Sequence, residues 1–362
     1  MLYHIMIEEI KFKRLKIGMK KPFVISLGST DYYDGFIVEV TADGITGYGE
    51  AVPTPMITGD TAGSIEYELS YFSKNLTGMD ENPEMLNDFM KRTMVSSRAS
   101  RNAIDTAIYD IISKRAGMPL KRMLGGHKKR IMTSFTVDLV DSKSALKEAD
   151  DLINDGVKVF KIKLGSGIDN DVDRVKTVRD AIGNDKIIYV DMNQAYNCKQ
   201  ALRLSNMISK YEIEFIEQPV NEYDYTGLKC FKKGSFIPVM VDESVKNPEN
   251  AAFILKNELA DMVNIKLMKS GGITDAVKIS DICDAYNIPV MVGCMVETKV
   301  SISYGIDLAL GRKIVKYADL DGFSSLNNDI TKNSVIFNDG YITNHDIPGA
   351  GFELADPKAL GF

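Results

Sequence analysis

From about residue 130 the chain repeats one grammar: a short apolar, β-branched run, then an amphipathic stretch of helical period, in units of about 25 residues. MTSFTVDL precedes a helix from Ser142 to Gly156, KVFKIKL one from Asp169 to Gly183, and KIIYVDM one through 197–210. EIEFIEQP, FIPVMVDES, ADMVNIKLM and IPVMVGCMVE introduce helices near 223–233, 247–258, 272–286 and 298–310, and KIVKYADLD ends the series. Right-handed βα units in this number close on themselves, so the expected fold is α/β, a modified TIM barrel of (β/α)7β form. An open doubly wound sheet is the competing architecture, but no Gly-rich dinucleotide loop follows the first strand.

The preceding residues follow different rules. Residues 1–52 read as an antiparallel meander: FKRLKI, a loop through Lys20–Tyr33, then GFIVEVTADGITGYGEA, with Asp43-Gly44 as the hairpin signal. Helices are expected over 61–77, 83–94 and 98–115, with Asp60-Thr61 and Asn82-Pro83 as starts and Gly117 as a stop. Strands and helices segregated in this way make an α+β capping domain over 1–128, beside a barrel over 129–322. The turn-rich 322–362 is expected to run back and pair with the meander, completing the capping domain from roughly 323.

The composition, 44% hydrophobic and 26% charged, is that of a soluble globular protein. A net charge of −6 gives no electrostatic case for nucleic acid or an anionic membrane surface. The first ten residues, MLYHIMIEEI, alternate and carry acids, unlike a signal peptide or membrane span. Four cysteines far apart, without a CxxC, read as reduced thiols of a cytoplasmic protein, and three histidines make a zinc site a poor reading.

In a barrel of this type the chemistry lies at the C-terminal ends of the strands. There the second strand carries Lys161 and Lys163, the third Asp191, the fourth Glu217, the fifth Asp242, the sixth Lys266 and the eighth Asp319 and Asp321. Singly, each acid reads best as a solvated loop residue or a helix cap. Three at spacings of 26 and 25 residues deliver carboxylates to one rim, a hard oxygen site suited to Mg²⁺. Lys161 and Lys163 alternate with Ile162 and share a face; solvated edge-strand lysines would be the bland reading. Strands two and six are diametrically opposite, so Lys163 and Lys266 approach a bound substrate from opposite sides. A lysine near pKa ~10.4 is a poor base at pH 7. A nearby divalent cation and the charge of Lys161 would move Lys163 towards the ~7–8 useful for proton abstraction. Two bases flanking a carboxylate substrate are the apparatus of racemisation or epimerisation through a metal-stabilised enediolate, and also serve β-elimination.

KIK at 161–163, DMN at 191–193, EQP at 217–219, DES at 242–244 and NIK at 264–266 resemble the muconate-lactonising-enzyme subgroup of the enolase superfamily. The resemblance runs through GYGEAVPT at 47–54, TGDT at 58–61 and IPGAGFELAD near the C-terminus. It implies Mg²⁺ on Asp191, Glu217 and Asp242, bases Lys163 and Lys266, Lys161 at the substrate carboxylate, and Thr136 in TSFTV as a substrate contact. Homo-oligomers are common in the resembled family.

Asp319-Leu320-Asp321 resembles the DxD with which dipeptide epimerases hold the substrate's α-ammonium group. Two acids alternating to one face make a cation site, whereas an Asp-Gly turn is the plainer alternative. The resemblance implies a Mg²⁺-dependent dipeptide epimerase, an isomerase taking a small-molecule dipeptide. o-Succinylbenzoate synthase or N-acylamino acid racemase activity, and a catalytically silent homologue, stay open. Where Ala-Glu epimerases carry an Arg in the first capping loop, this chain aligns Gly28, and GSTDYY at 28–33 holds no cation. The expected substrate therefore has a non-acidic C-terminal residue.

Overall fold

The structure, a computed structural model, describes residues 5–25 and 28–361, with the backbone alone for 22–25, 28–29 and 359. Three antiparallel strands, β1 (Ile7–Ile25), β2 (Gly28–Ala42) and β3 (Ile45–Ala51), form the first sheet in that order. Asp43 and Gly44 have φ of 53° and 67°, the left-handed values a two-residue hairpin turn needs. Three helices, α1 (Ala62–Leu76), α2 (Pro83–Thr93) and α3 (Arg98–Arg115), accompany the sheet. The side chain of Thr61 caps α1 and that of Asn82 caps α2. α3 lies so close to β3 that a Cβ on Gly49 would meet the Ala103 carbonyl at 1.9 Å. Glycine is what lets the two backbones touch.

The loop expected over Lys20–Tyr33 is instead the far half of a long hairpin. β1 and β2 pair from Ile7 with Ala42 to Ile25 with Gly28, with an irregularity between Gly18 and Phe23. Lys20, Lys21 and Pro22 fall inside that irregularity. β1 is an edge strand, where a proline and a bulge cost no interior ladder bonds. Ser26 and Leu27, within the stretch used for the alignment at Gly28, lie outside the described residues.

After a short helix α4 (Leu120–Met123) and strand β4 (Ile131–Met132), the alternation begins. Its strands are β5 (Ser134–Val137), β6 (Val159–Lys163), β7 (Ile187–Asp191), β8 (Ile213–Glu217), β9 (Val239–Val241), β10 (Met262–Lys266), β11 (Val290–Gly293) and β12 (Val315–Asp319). Between them run α5 (Ser142–Asn154), α6 (Ile168–Ile182), α7 (Cys198–Ile208), α8 (Tyr225–Gly234), α9 (Pro248–Lys256), the short α10 (Leu267–Ser270) with α11 (Ile273–Ala285), and α12 (Lys299–Gly311). The eight strands are parallel and ordered as in sequence, and a parallel bridge from Thr133 to Ala318 joins the two ends. A barrel results.

The period of two divides each strand between two environments. Phe160, Ile162, Ile188, Val190, Val263 and Ile265 belong to the core shared with the surrounding helices. Val159, Tyr189, Phe215, Met240, Met262 and Met291 form a separate cluster that fills the barrel. The Tyr189 and Phe215 rings stack there with centroids 4.3 Å apart. Among the described residues no helix is long and apolar enough to cross a membrane.

The C-terminal segment departs from expectation. β15 (Tyr341–Thr343) pairs with β14 (Ile336–Asn338) and with β4, while β13 (Thr331–Lys332) pairs with β16 (Glu353–Leu354). Contact with the N-terminal sheet is a bridge from Met19 to Leu326, with the Asn327 N–H donating to the Gly18 carbonyl at 3.0 Å. The cysteines depart too. Cys198 and Cys230 form a disulfide, whereas Cys283 and Cys294 are free. The pair is 32 residues apart in sequence, but the barrel sets α7 and α8 side by side, with the two Cα atoms 6.4 Å apart.

One carboxylate joins the N-terminal sheet to the barrel. Glu50, fully buried at the end of β3, accepts from the Thr298 N–H at 2.9 Å, the Thr298 hydroxyl at 2.7 Å and the Ser301 N–H at 3.0 Å. It thus caps α12, and the Tyr33 hydroxyl donates to it from β2 at 2.8 Å. Burial nevertheless pushes Glu50 up to about 7. Burial, with Glu50 beside it, pushes Glu297 to about 8. A carboxyl raised in the folded state contributes stability below its unfolded value that is lost as pH rises through the folded value. Thermal stability should therefore fall between pH 5.5 and 9. Glu297→Gln should raise the melting temperature at pH 9 by about 2 °C or more and give no such gain at pH 5.5.

Candidate active site

The ends of six barrel strands converge on a cavity of about 1020 Å³ whose lining includes Lys161, Lys163, Lys266, Asp319 and Asp321. On β6 the alternation turns Lys161 and Lys163 inward while Phe160 and Ile162 go to the core. β6 and β10 are four strands apart in an eight-stranded sheet, which sets Lys163 and Lys266 on opposite sides. Thr136, at the end of β5, lines the same cavity, and its N–H donates to Asp321 Oδ2 at 2.8 Å. Asp191, Glu217 and Asp242 follow one another at the ends of β7, β8 and β9, all fully buried.

Lysines and carboxylates interleave here. Lys161 Nζ lies 3.1 Å from Asp191 Oδ2, 2.9 Å from Glu217 Oε2 and 2.7 Å from Asp319 Oδ2. Burial would strip its proton, but Asp319, Glu217 and Asp191 outweigh burial and hold its pKa well above the ordinary lysine value. Lys163 donates to Asp191 Oδ2 at 2.8 Å and to Asn193 Oδ1 at 2.9 Å. Lys266 sits 2.9 Å from Asp242 Oδ2. Burial lowers its affinity for a proton, yet the Asp242 charge prevails, and Lys266 is held above its usual value. Asp191 shows the reverse balance: burial raises it, but Lys163 and Lys161 bring it down to about 2. Glu217 is pushed up to about 8 by burial and by Asp191.

The DxD acids differ from each other. Asp319 is buried and accepts from Lys161 and from the Ser134 hydroxyl, both at 2.7 Å. Those partners overcome burial and hold it below the usual carboxylate range. Asp321 is half-buried, and burial together with Asp319 pushes it up to about 6.

The donor set suits a hard divalent cation: three carboxylates on successive strands, supplying oxygen alone. Two of their atoms, Glu217 Oε2 and Asp242 Oδ2, are buried with no hydrogen bond directed at them, although a lysine nitrogen lies 2.9 Å from each. Among the described residues no acidic, histidine or cysteine side chains form a group of three within metal-holding reach, and Lys161 Nζ lies within 3.1 Å of both Asp191 and Glu217.

Family models match most of the chain. Residues 9–125 match the N-terminal domain of mandelate racemase / muconate lactonizing enzyme, and residues 144–359 match the enolase C-terminal domain-like model. The chain belongs to the mandelate racemase / muconate lactonizing enzyme family. It is 34% identical to the L-Ala-D/L-Glu epimerase of Clostridium acetobutylicum, over 96% of this chain and 98% of that one. It is 36% identical to the hydrophobic dipeptide epimerase of Enterococcus faecalis, over 87% and 90%. The crystal structure of a dipeptide epimerase from Enterococcus faecalis, complexed with Mg and the dipeptide L-Leu-L-Tyr, superposes with a TM-score of 0.93 at 33% identity, covering 96% of this chain and 99% of that one.

In this family member several site residues are absent from the sequence reading. Lys269 is one. It is fully buried on α10 and donates to the Asp242 carboxylate, to the Asp242 carbonyl at 2.5 Å and to the Asn264 carbonyl at 3.1 Å. Its signal was a third lysine in NIKLMK, three residues past Lys266, where a helical turn carries it back under the strand ends. Gln218 is another: its Oε1 accepts from the Asp242 and Ser244 N–H groups, and its φ of 37° follows from the sharp exit of β8. Ser134, one turn of the pleat below Thr136, fixes Asp319. Removing a buried ion-pair partner leaves the other charge uncompensated. Lys269→Met should accordingly lower stability by about 3 kcal/mol, read as a lower urea midpoint at unchanged slope.

Proposed function

We propose that the chain is a Mg²⁺-dependent dipeptide epimerase, an isomerase that inverts the α-carbon of the C-terminal residue. The observation that carries this reading is the cavity itself. Two lysines on opposite strands flank one space, and a pair of aspartates, Asp319 at the end of β12 and Asp321 in the turn after it, closes one end of it. Asp191, Glu217 and Asp242 would hold the Mg²⁺, which supplies positive charge opposite the substrate carboxylate. The chain divides accordingly into a capping unit over 1–128, which 323–362 joins through bridges at Met19 and Pro119, and a catalytic barrel over 129–322.

Each remaining residue has a task in this reading. Asp319 and Asp321 bind the substrate's α-ammonium group, fixing which end of the dipeptide faces the barrel. Lys161 stands beside the substrate carboxylate, where negative charge accumulates as the α-carbon loses its proton. One of Lys163 and Lys266 takes that proton on one face and keeps it, while the other delivers its own proton from the opposite face, which inverts the centre. Thr136 borders the ammonium end through its contact with Asp321. A cytoplasmic setting goes with a soluble dipeptide substrate, whereas the Cys198–Cys230 disulfide favours oxidising surroundings.

Incubation of the protein and Mg²⁺ with a dipeptide library in D₂O should add one mass unit to selected dipeptides and racemise their C-terminal residue. Absence of exchange on every dipeptide overturns the reading. Lys163→Ala and Lys266→Ala should each slow epimerisation by roughly 10²-fold or more. Asp319→Asn with Asp321→Asn should abolish dipeptide turnover. Should N-acylated amino acids be the true substrates, that double variant would turn them over as before, since they carry no ammonium group.

A further inference from the structure

The cavity extends beyond the lysines, past Asp138 and along α5, where Glu148, Asp151 and Asp155 line it together with Lys147. Asp138 lies just past the end of β5 and is almost wholly buried, near enough to Lys163 to feel its charge. Its N–H donates to Glu148 Oε2 at 2.9 Å, which ties the two acids together. A single cation meets both: Lys21 Nζ lies 2.9 Å from Asp138 Oδ2 and 2.5 Å from Glu148 Oε1. Lys21 comes from the bulged stretch of the β1–β2 hairpin, with its side chain half exposed. Its neighbour Lys20 donates to the Ser324 carbonyl at 2.9 Å, three residues past Asp321. Lys20 and Lys21 thus tie this stretch of β1 to the segment after β12 and to the acids beside α5.

We infer that Lys21, Asp138 and Glu148 form the charge filter for the side chain of the substrate's C-terminal residue. This rests on the dipeptide-epimerase reading. With the α-carbon between Lys163 and Lys266 and the ammonium group at Asp319 and Asp321, two walls border the space left for that side chain: the uncharged 52–57 loop with Met295 and Val296, and Asp138 with α5, and of these the second can discriminate by charge. Lys21 covers the two acids nearest the lysines, so the inner part of the wall carries its charges paired, while Lys147, Asp151 and Asp155 stand exposed further out. An acidic side chain meets two carboxylates there, and a basic one must first displace Lys21. Uncharged side chains incur neither cost, and the filter selects them by exclusion at both signs.

The three components make opposite predictions when removed. Lys21→Met uncovers the acids and should raise kcat/KM for Ala-Lys relative to Ala-Leu by about tenfold, while Ala-Glu stays poor. Asp138→Asn with Glu148→Gln leaves Lys21 uncovered and should raise Ala-Glu relative to Ala-Leu by about tenfold. The measurement is deuterium incorporation from D₂O with Mg²⁺, for the wild type and both variants on the three dipeptides. Glu148→Gln alone, at a partly exposed position on α5, replaces the double variant if the latter fails to fold, with a smaller shift in the same direction. A hairpin lysine that merely holds the lid down would change KM for all three dipeptides in parallel. Parallel changes, or ratios that stay within twofold of wild type, overturn the inference. If the wild type exchanges no dipeptide at all, the failure belongs to the epimerase reading instead.

Discussion

The site depends on a balance of buried charge at the barrel mouth. Four lysines, Lys161, Lys163, Lys266 and Lys269, face four carboxylates, Asp191, Glu217, Asp242 and Asp319, with almost no water around any of them. Moving a single ion into such surroundings costs several kcal/mol, so neither set could be buried without the other. At separations near 3 Å each attraction is worth roughly 5 kcal/mol at an effective dielectric of 20, enough to offset that cost where two or three partners converge. Lys161 has three. It sits above the Tyr189 ring, 5.8 Å from its centroid, so the apolar filling of the barrel supports the charged layer from below.

That layering explains why so much of the site was legible in the sequence. A strand in a barrel must alternate, and its last inward residue must face the mouth; the ends of KIK, VD, IE and NIK could project nowhere else. The helix starts at Thr61 and Asn82 were readable for a similarly local reason, since a cap needs its own side chain within three residues.

Pairings between distant segments were not legible. Lys20-Lys21-Pro22 looks like a loop because proline and adjacent charges interrupt β-propensity, and only the partner strand shows that the chain continues through a bulge. The ion pair from Lys21 to Asp138 and Glu148 crosses more than a hundred residues, and no spacing rule links those positions. Cys198 and Cys230 meet because α7 and α8 are neighbours, a fact of the barrel rather than of either helix. The destination of the C-terminal segment failed for the same reason: Tyr341 and Ile342 are good strand residues whichever strand receives them.

The seam of the barrel also bears on how the protein is made. The first barrel strands emerge from the ribosome early, yet Thr133 bridges to Ala318, and Ile131 waits for Ile342. Glu50 finds its hydrogen-bond donors 248 and 251 residues further along the chain. A growing polypeptide therefore carries an unsealed sheet and an unsatisfied carboxylate through most of translation, with folding completed only near release. Until the last strands arrive, the open edge of the sheet is the part of such a chain most exposed to mispairing.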